Sequence, residues 1–147
     1  MAAAGKKSKK PSDASSKPLE PLAVFIDRAL GNKLVAEALR KAGVEVHINC
    51  DHFPPDAKDH EWLPEVGKRG WVLLTKDAKI RYHTIEREAL INARVRAFVL
   101  ISGNITGPEM AVSFVKAIPA MRKLVGRLTH PFIAKVNREG KVVIWYP

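Results

Sequence analysis

Four strand-like segments, each five residues long and each followed by a segment of different periodicity, set the tightest limit on how this chain folds. In chain order they are Leu22-Ala23-Val24-Phe25-Ile26, residues 44–48, Trp71-Val72-Leu73-Leu74-Thr75 and residues 97–101; three are mainly apolar, and the second also carries Glu45 and His47. A continuous apolar run this short reads as a strand buried on both faces, which is the pattern of a parallel sheet covered by helices. Between the runs the spacing turns helical. Leu34, Val35, Ala38, Leu39 and Ala42 recur along one face, and Gly43 stands where a left-handed cap is wanted. A second helix opens near Asp59, runs through Trp62, Leu63 and Val66, is made irregular in its first turns by Pro64, and closes at Gly70. A third covers residues 85–93 with Thr84 as its N-cap. Thr106 and Glu109, at capping-box spacing, announce a long helix toward Leu128. The segment holding Asp51 and Pro54-Pro55 reads as a loop, and residues 132–136 and 142–146 read as a closing β-hairpin. Alternating strands and helices mean right-handed βαβ units, hence an α/β domain with a mainly parallel sheet.

The 147 residues allow one sizeable core, placed in residues 22–147. Residues 1–21 are Ala, Lys, Ser and Pro with almost nothing to bury, and read as a disordered basic tail. No apolar run approaches the roughly 18 residues that cross a bilayer, and the Lys-rich start lacks the features of a secretory signal, so no membrane contact is expected. The one cysteine, Cys50, excludes an internal disulfide and agrees with a cytoplasmic location. The formal charge of +10, of which about +7 remains when the tail is set aside, predicts attraction to a polyanion, most simply nucleic acid.

Acids at the strand ends give that charge a chemical purpose. In α/β sheets, ligands bind beyond the carboxyl ends of the strands. Asp27 follows the first apolar run directly, and Asp77 follows the third after Lys76, so both project from that edge. Carboxylates held close together repel unless a cation lies between them, and an all-oxygen site suits Mg²⁺ or Mn²⁺. The third ligand comes from the segment between the second and third strands, where Asp51, Asp56, Asp59, Glu61 and Glu65 compete; Asp59, opening a helix, is favoured. Asn104, with Ser102, follows the fourth strand to the same edge. A carboxylate-held metal can lower the pKa of water and neutralise a phosphoryl group, which is the chemistry of phosphodiester hydrolysis. Arg28, Lys76, Lys79 and Arg81 flank the acids and would guide a phosphate backbone toward them. His47, His52, His60 and His83 show no compact metal-binding spacing, and Trp62, Trp71 and Trp145 read as core.

Several stretches together carry a family resemblance: Phe25-Ile26-Asp27-Arg28-Ala29-Leu30-Gly31, Gly43-Val44-Glu45-Val46-His47, Asp51-His52-Phe53-Pro54-Pro55-Asp56, Asp59-His60-Glu61-Trp62-Leu63, Leu74-Thr75-Lys76-Asp77 and Ser102-Gly103-Asn104-Ile105-Thr106-Gly107. The chain resembles the PIN-like domain family related to VapC-type toxins. The resemblance implies a three-layer α/β/α fold, Mg²⁺ or Mn²⁺ held by Asp27, Asp59 and Asp77, endoribonuclease activity on RNA, and a toxin neutralised by an antitoxin protein. A homodimer is compatible with it. Many PIN domains carry a fourth acid after the fourth strand, where this chain has Ser102-Gly103-Asn104. A catalytically silent nucleic-acid-binding module on the same fold is the competing expectation.

Overall fold

The computed structural model describes residues 22–31, 33–76, 83–101 and 103–146. Five parallel strands form the sheet: β1 (Ala23–Ile26), β2 (Glu45–Ile48), β3 (Val72–Thr75), β4 (Arg96–Leu100) and β5 (Phe132–Val136). A sixth, β6 (Val142–Tyr146), returns antiparallel to β5, so the closing hairpin is present as expected. Spatial order is β2-β1-β3-β4-β5-β6. The chain therefore moves one way from β1 to β2 and the other way from β2 across to β3. That reversal opens a crevice at the carboxyl ends of β1 and β3.

Two apolar layers sandwich the sheet, because successive residues of a strand point to opposite faces. Val24, Ile26, Val46, Ile48, Val72 and Leu74 pack with helix α1 (Leu34–Lys41) and with the long helix α5 (Gly107–Arg127). Phe25, Leu73, Ala97 and Val99 pack on the other face with α3 (Asp59–Lys68) and α4 (Thr84–Asn92). The result is the three-layer α/β/α arrangement. At the start of α5 the Thr106 hydroxyl accepts from Glu109 N–H at 3.2 Å and the Glu109 carboxylate accepts from Thr106 N–H at 2.9 Å, the reciprocal cap legible in the sequence.

Three differences from the sequence reading have local causes. Residues expected as loop contain a single helical turn, α2 (Asn49–His52), which is too short to show periodicity. Thr84 is the first residue of α4 rather than its cap, a position taken by His83. Helix α3 runs unbroken past Pro64. At its start, Lys58 N–H donates to the Glu61 carboxylate at 3.0 Å; a lysine side chain has no acceptor to return the bond, so the cap is one-sided.

At the amino end of the sheet, three helix-to-strand connections repeat one closure. Leading into β2, Val44 N–H donates to Leu39 O and Gly43 N–H to Arg40 O. Into β3 the pairs are Trp71 to Val66 and Gly70 to Gly67; into β4 they are Val95 to Leu90 and Arg94 to Ile91. Each is the two-bond helix stop that needs one left-handed residue, supplied by Gly43 (φ 89°), Gly70 (φ 72°) and Arg94 (φ 62°). In every case the residue entering the strand and its partner on the helix are both buried.

Candidate active site

Strand register decides which residues leave the sheet together. Ile26 pairs with Ile48 on one side and with Leu74 on the other, so Asp27, Asn49 and Thr75 emerge as neighbours at the carboxyl edge. Asp27 N–H donates to Leu74 O at 3.1 Å, carrying the ladder one residue past β1. Its carboxylate Oδ2 accepts from the Thr75 hydroxyl at 2.8 Å. Thr75 is fully buried and Asp27 half-buried, so a rigid donor orients the acid while leaving it within reach of the crevice. An oriented carboxylate is the kind of hard oxygen donor that Mg²⁺ or Mn²⁺ takes, and the side chains at this edge supply oxygen and nitrogen but no thiolate ligand pair.

The other expected ligands fall in different places. Asp77 lies outside the described residues, as do Lys79, Arg81 and Ser102. Lys76, next to Thr75, is exposed. Asp59 is the first residue of α3; its side chain is outside the description. Asp51 is exposed on α2, directly after β2, and so stands beyond the same edge. Glu61 accepts the Lys58 bond that starts α3, and Glu65 is tied to Arg69 at 2.7 Å, which holds its carboxyl below the ordinary range. Asn104 is exposed, with its carbonyl bonded to Arg138 Nη2 at 3.0 Å. Among the described residues, no three His, Cys, Asp or Glu side chains are grouped to hold a metal.

Arg28 takes a part that its sequence position does not reveal. Its Nε donates to Asn49 Oδ1 at 3.3 Å, its Nη2 to Pro54 O at 2.6 Å and its Nη1 to Pro55 O. The guanidinium thereby staples the end of β1 to the segment after α2. Asn49, only 1% exposed, accepts that bond, while its own Nδ2 has no hydrogen-bond partner among the described residues. A buried unpaired donor costs about 1–3 kcal/mol, and such a group asks for an explanation.

Thr75 and Asn49 are the residues that sequence reasoning left without a role. The signal for both is register: each immediately neighbours Asp27 once the strands are aligned. The histidines also hold a surprise. His47 on β2 and His52 on α2 lie with Nδ1 and Nε2 3.2 Å apart, the His47 Nε2 meets Glu45 Oε2 at 2.6 Å, and the His47 ring stacks on Trp71 with 3.9 Å between centroids. Hydrogen bonding to Glu45 puts the proton of neutral His47 on Nε2, leaving Nδ1 to accept from His52. Burial first, then the neighbouring His47 and Arg69, lower the His52 pKa.

Comparison with known proteins supplies the wider frame. Residues 22–102 match the model of a family described as PIN-like domain. A protein of Mycobacterium tuberculosis (strain ATCC 25618 / H37Rv) described as "Putative ribonuclease VapC45" is 28% identical over 118 residues, covering 78% of this chain and 85% of that protein. No solved structure matches.

Proposed function

The chain belongs to the PIN-like domain family, and from that premise we propose that it is a metal-dependent endoribonuclease of the VapC-related kind. The observation that carries the proposal is the Asp27 carboxylate, held by the buried Thr75 hydroxyl at the crevice where the strand order reverses. Asp27, Asp59 and Asp77 are the proposed ligands of Mg²⁺ or Mn²⁺, with Asp51, exposed on α2 beyond the same edge, a candidate substitute for Asp59. When bound, the cation supplies a lowered water pKa and neutralises charge on the phosphoryl group.

The chain's own residues set up the rest. Thr75 fixes the direction of the Asp27 oxygens, so no rotamer search is needed when RNA arrives. Exposed Lys76 stands one residue beyond Thr75 and, with Lys79 and Arg81, draws the phosphate backbone to an edge whose acids would otherwise repel it. Arg28 keeps the segment after α2 in place beside the crevice. The role we assign is that of a cytoplasmic toxin restrained by an antitoxin protein; no described helix is long and apolar enough to cross a membrane.

A second reading is favoured by the exposed, non-acidic Asn104, whose carbonyl is bonded to Arg138. It makes the protein a nucleic-acid-binding module that has lost cleavage. Single-stranded RNA incubated with the full chain in Mn²⁺, with and without chelator, separates the two. Cleavage is expected to stop with chelator and to fall by at least about a hundredfold in Asp27→Asn, while Mn²⁺ raises the melting temperature of the wild type more than that of the variant. Cleavage untouched by both changes would overturn the metal mechanism. Salt-sensitive binding without cleavage of any RNA would select the second reading.

A further inference from the structure

Five positions separate His47 from His52, a spacing that sets two side chains together on neither a helix nor a strand. The turn from β2 into α2 closes the gap at the edge strand of the sheet. His47 Nδ1 and His52 Nε2 stand 3.2 Å apart, with their ring planes inclined at 56°. Two imidazole nitrogens bound to one tetrahedral zinc, each about 2.0–2.1 Å from it, stand roughly 3.3 Å apart. The pair is therefore at ligand spacing already. The far nitrogen of His47 is engaged as well: exposed Glu45 holds Nε2 at 2.6 Å while the ring lies against Trp71. A carboxylate on the far nitrogen is what fixes tautomer and direction in histidine metal ligands. Here it leaves the Nδ1 lone pair turned to His52. Solvent reaches both rings. His52 is exposed, the His47 side chain keeps 22% of its surface, and a cavity of about 210 Å³ lined in part by His52, Glu65, Arg69 and Trp71 opens beside them. The positive charge of Arg69 in that cavity is offset by Glu65 at 2.7 Å.

We propose that His47 and His52 form a two-histidine site for a borderline divalent cation of the Zn²⁺, Ni²⁺ or Cu²⁺ class, with Glu45 as the positioning residue behind His47. Imidazole nitrogen suits these ions, whereas Mg²⁺ and Mn²⁺ prefer oxygen ligands of the kind proposed around Asp27. Binding asks for one proton shift: His52 carries its proton on Nδ1 instead of Nε2, and a tilt of its exposed ring brings the freed lone pair onto a point shared with His47 Nδ1. The cation then replaces the proton between the two nitrogens. Water completes its coordination, since among the described residues no group of three His, Cys, Asp or Glu side chains converges on one point. The site ties β2 to α2, the helix that carries Asp51 and leads into the Pro54-Pro55 segment held by Arg28. A cation there stiffens the chain between the edge strand and that clamp.

Zn²⁺ alone is the probe. The full chain, isotope-labelled in its histidines and washed free of metal, is held at mildly alkaline pH, where free imidazole is neutral. It is titrated with Zn²⁺ while the ring nitrogens of all five histidines are followed. At one equivalent, His47 Nδ1 and His52 Nε2 are expected to shift together, with His60, His83 and His130 unmoved, and the melting temperature should rise. His52→Gln, at an exposed position outside the core, should abolish the coupled shift. Glu45→Gln should keep the site, weaken Zn²⁺ binding about tenfold and release the His47 proton from Nε2. Excess Mg²⁺ should leave both rings unmoved, and Asp27→Asn should respond to Zn²⁺ as the wild type does, which keeps this site independent of the nuclease reading. Shifts spread equally over the five histidines, a response that survives His52→Gln or disappears in Asp27→Asn, or no shift at either ring in excess Zn²⁺ would overturn the proposal.

Discussion

The two ends of the parallel sheet are built on opposite plans. At the amino end, three connections repeat the same two-bond backbone closure, and the residues on both sides of the turn are buried. At the carboxyl end, a single 3-10 turn follows β1 and a four-residue helix follows β2. There side chains do the holding: Thr75 grips Asp27, Arg28 grips two carbonyls, and Asn49 keeps an unpaired donor. One end maximises local satisfaction and the other tolerates frustration. Such a division is expected when stability and ligand contact are assigned to different ends of the same strands.

Substitutions can break this division, and the largest effect belongs to the amino end. A methyl group at Gly67 would lie 1.8 Å from the Ala93 carbonyl oxygen, a backbone atom that cannot step aside. Gly67→Ala should therefore cost about 3 kcal/mol through overpacking, read as a fall in the denaturation midpoint, with RNA cleavage by the remaining folded protein unchanged. Thr75→Val is the converse experiment at the carboxyl end. Losing the hydroxyl that orients Asp27 should lower kcat/KM on RNA by roughly tenfold, a larger change than its effect on melting. If stability collapses instead, Thr75 is a core residue first and the contrast between the ends is blurred.

Two smaller effects sharpen the picture. Arg94 holds the left-handed position that glycine fills in the two sister turns. Arg94→Gly should stabilise by up to about 1 kcal/mol, because only the side chain resists that conformation, and calorimetry should show a higher melting temperature. The smallest effect concerns His52. Its pKa is lowered in the fold, so the unfolded chain takes up the proton more readily. Above the ordinary value near 6.5 neither state is charged and nothing changes; as pH falls below it, stability declines toward the folded pKa. His52→Gln should flatten that slope in melting curves taken between neutral and mildly acidic pH, and an unchanged slope would assign it to another group.

How much of this was legible beforehand depends on whether a feature is local. Asp27 could be placed because an acid directly after an apolar run marks a strand end by itself, and Thr106 with Glu109 could be read because a capping box lies within one turn. Gly43 was legible as a helix stop; Arg94 was not, since arginine gives no hint of a left-handed backbone. Asn49 looked like any polar residue in a loop, and only its pairing beside Asp27 and its burial distinguish it. Arg28 was expected to meet phosphate, and its engagement by Pro54 and Pro55 comes from a fold-back of the chain that no periodicity encodes. The His47–His52 contact crosses a strand-to-helix junction, where neither the helical nor the strand repeat applies. Asp77, with Lys79 and Arg81, lies outside the described residues, so its place beside Asp27 stands as a proposal.

The bond between Thr75 and Asp27 spans 48 positions of the sequence. It forms only once β3 has inserted beside β1. Contacts of such long range come late, because the loop-closure entropy precedes any reward. A chain emerging from the ribosome therefore lacks this Asp27–Thr75 edge until well past residue 75. For the RNA-cleaving role proposed above, the order of assembly would itself be a safeguard for the machine that synthesises the chain.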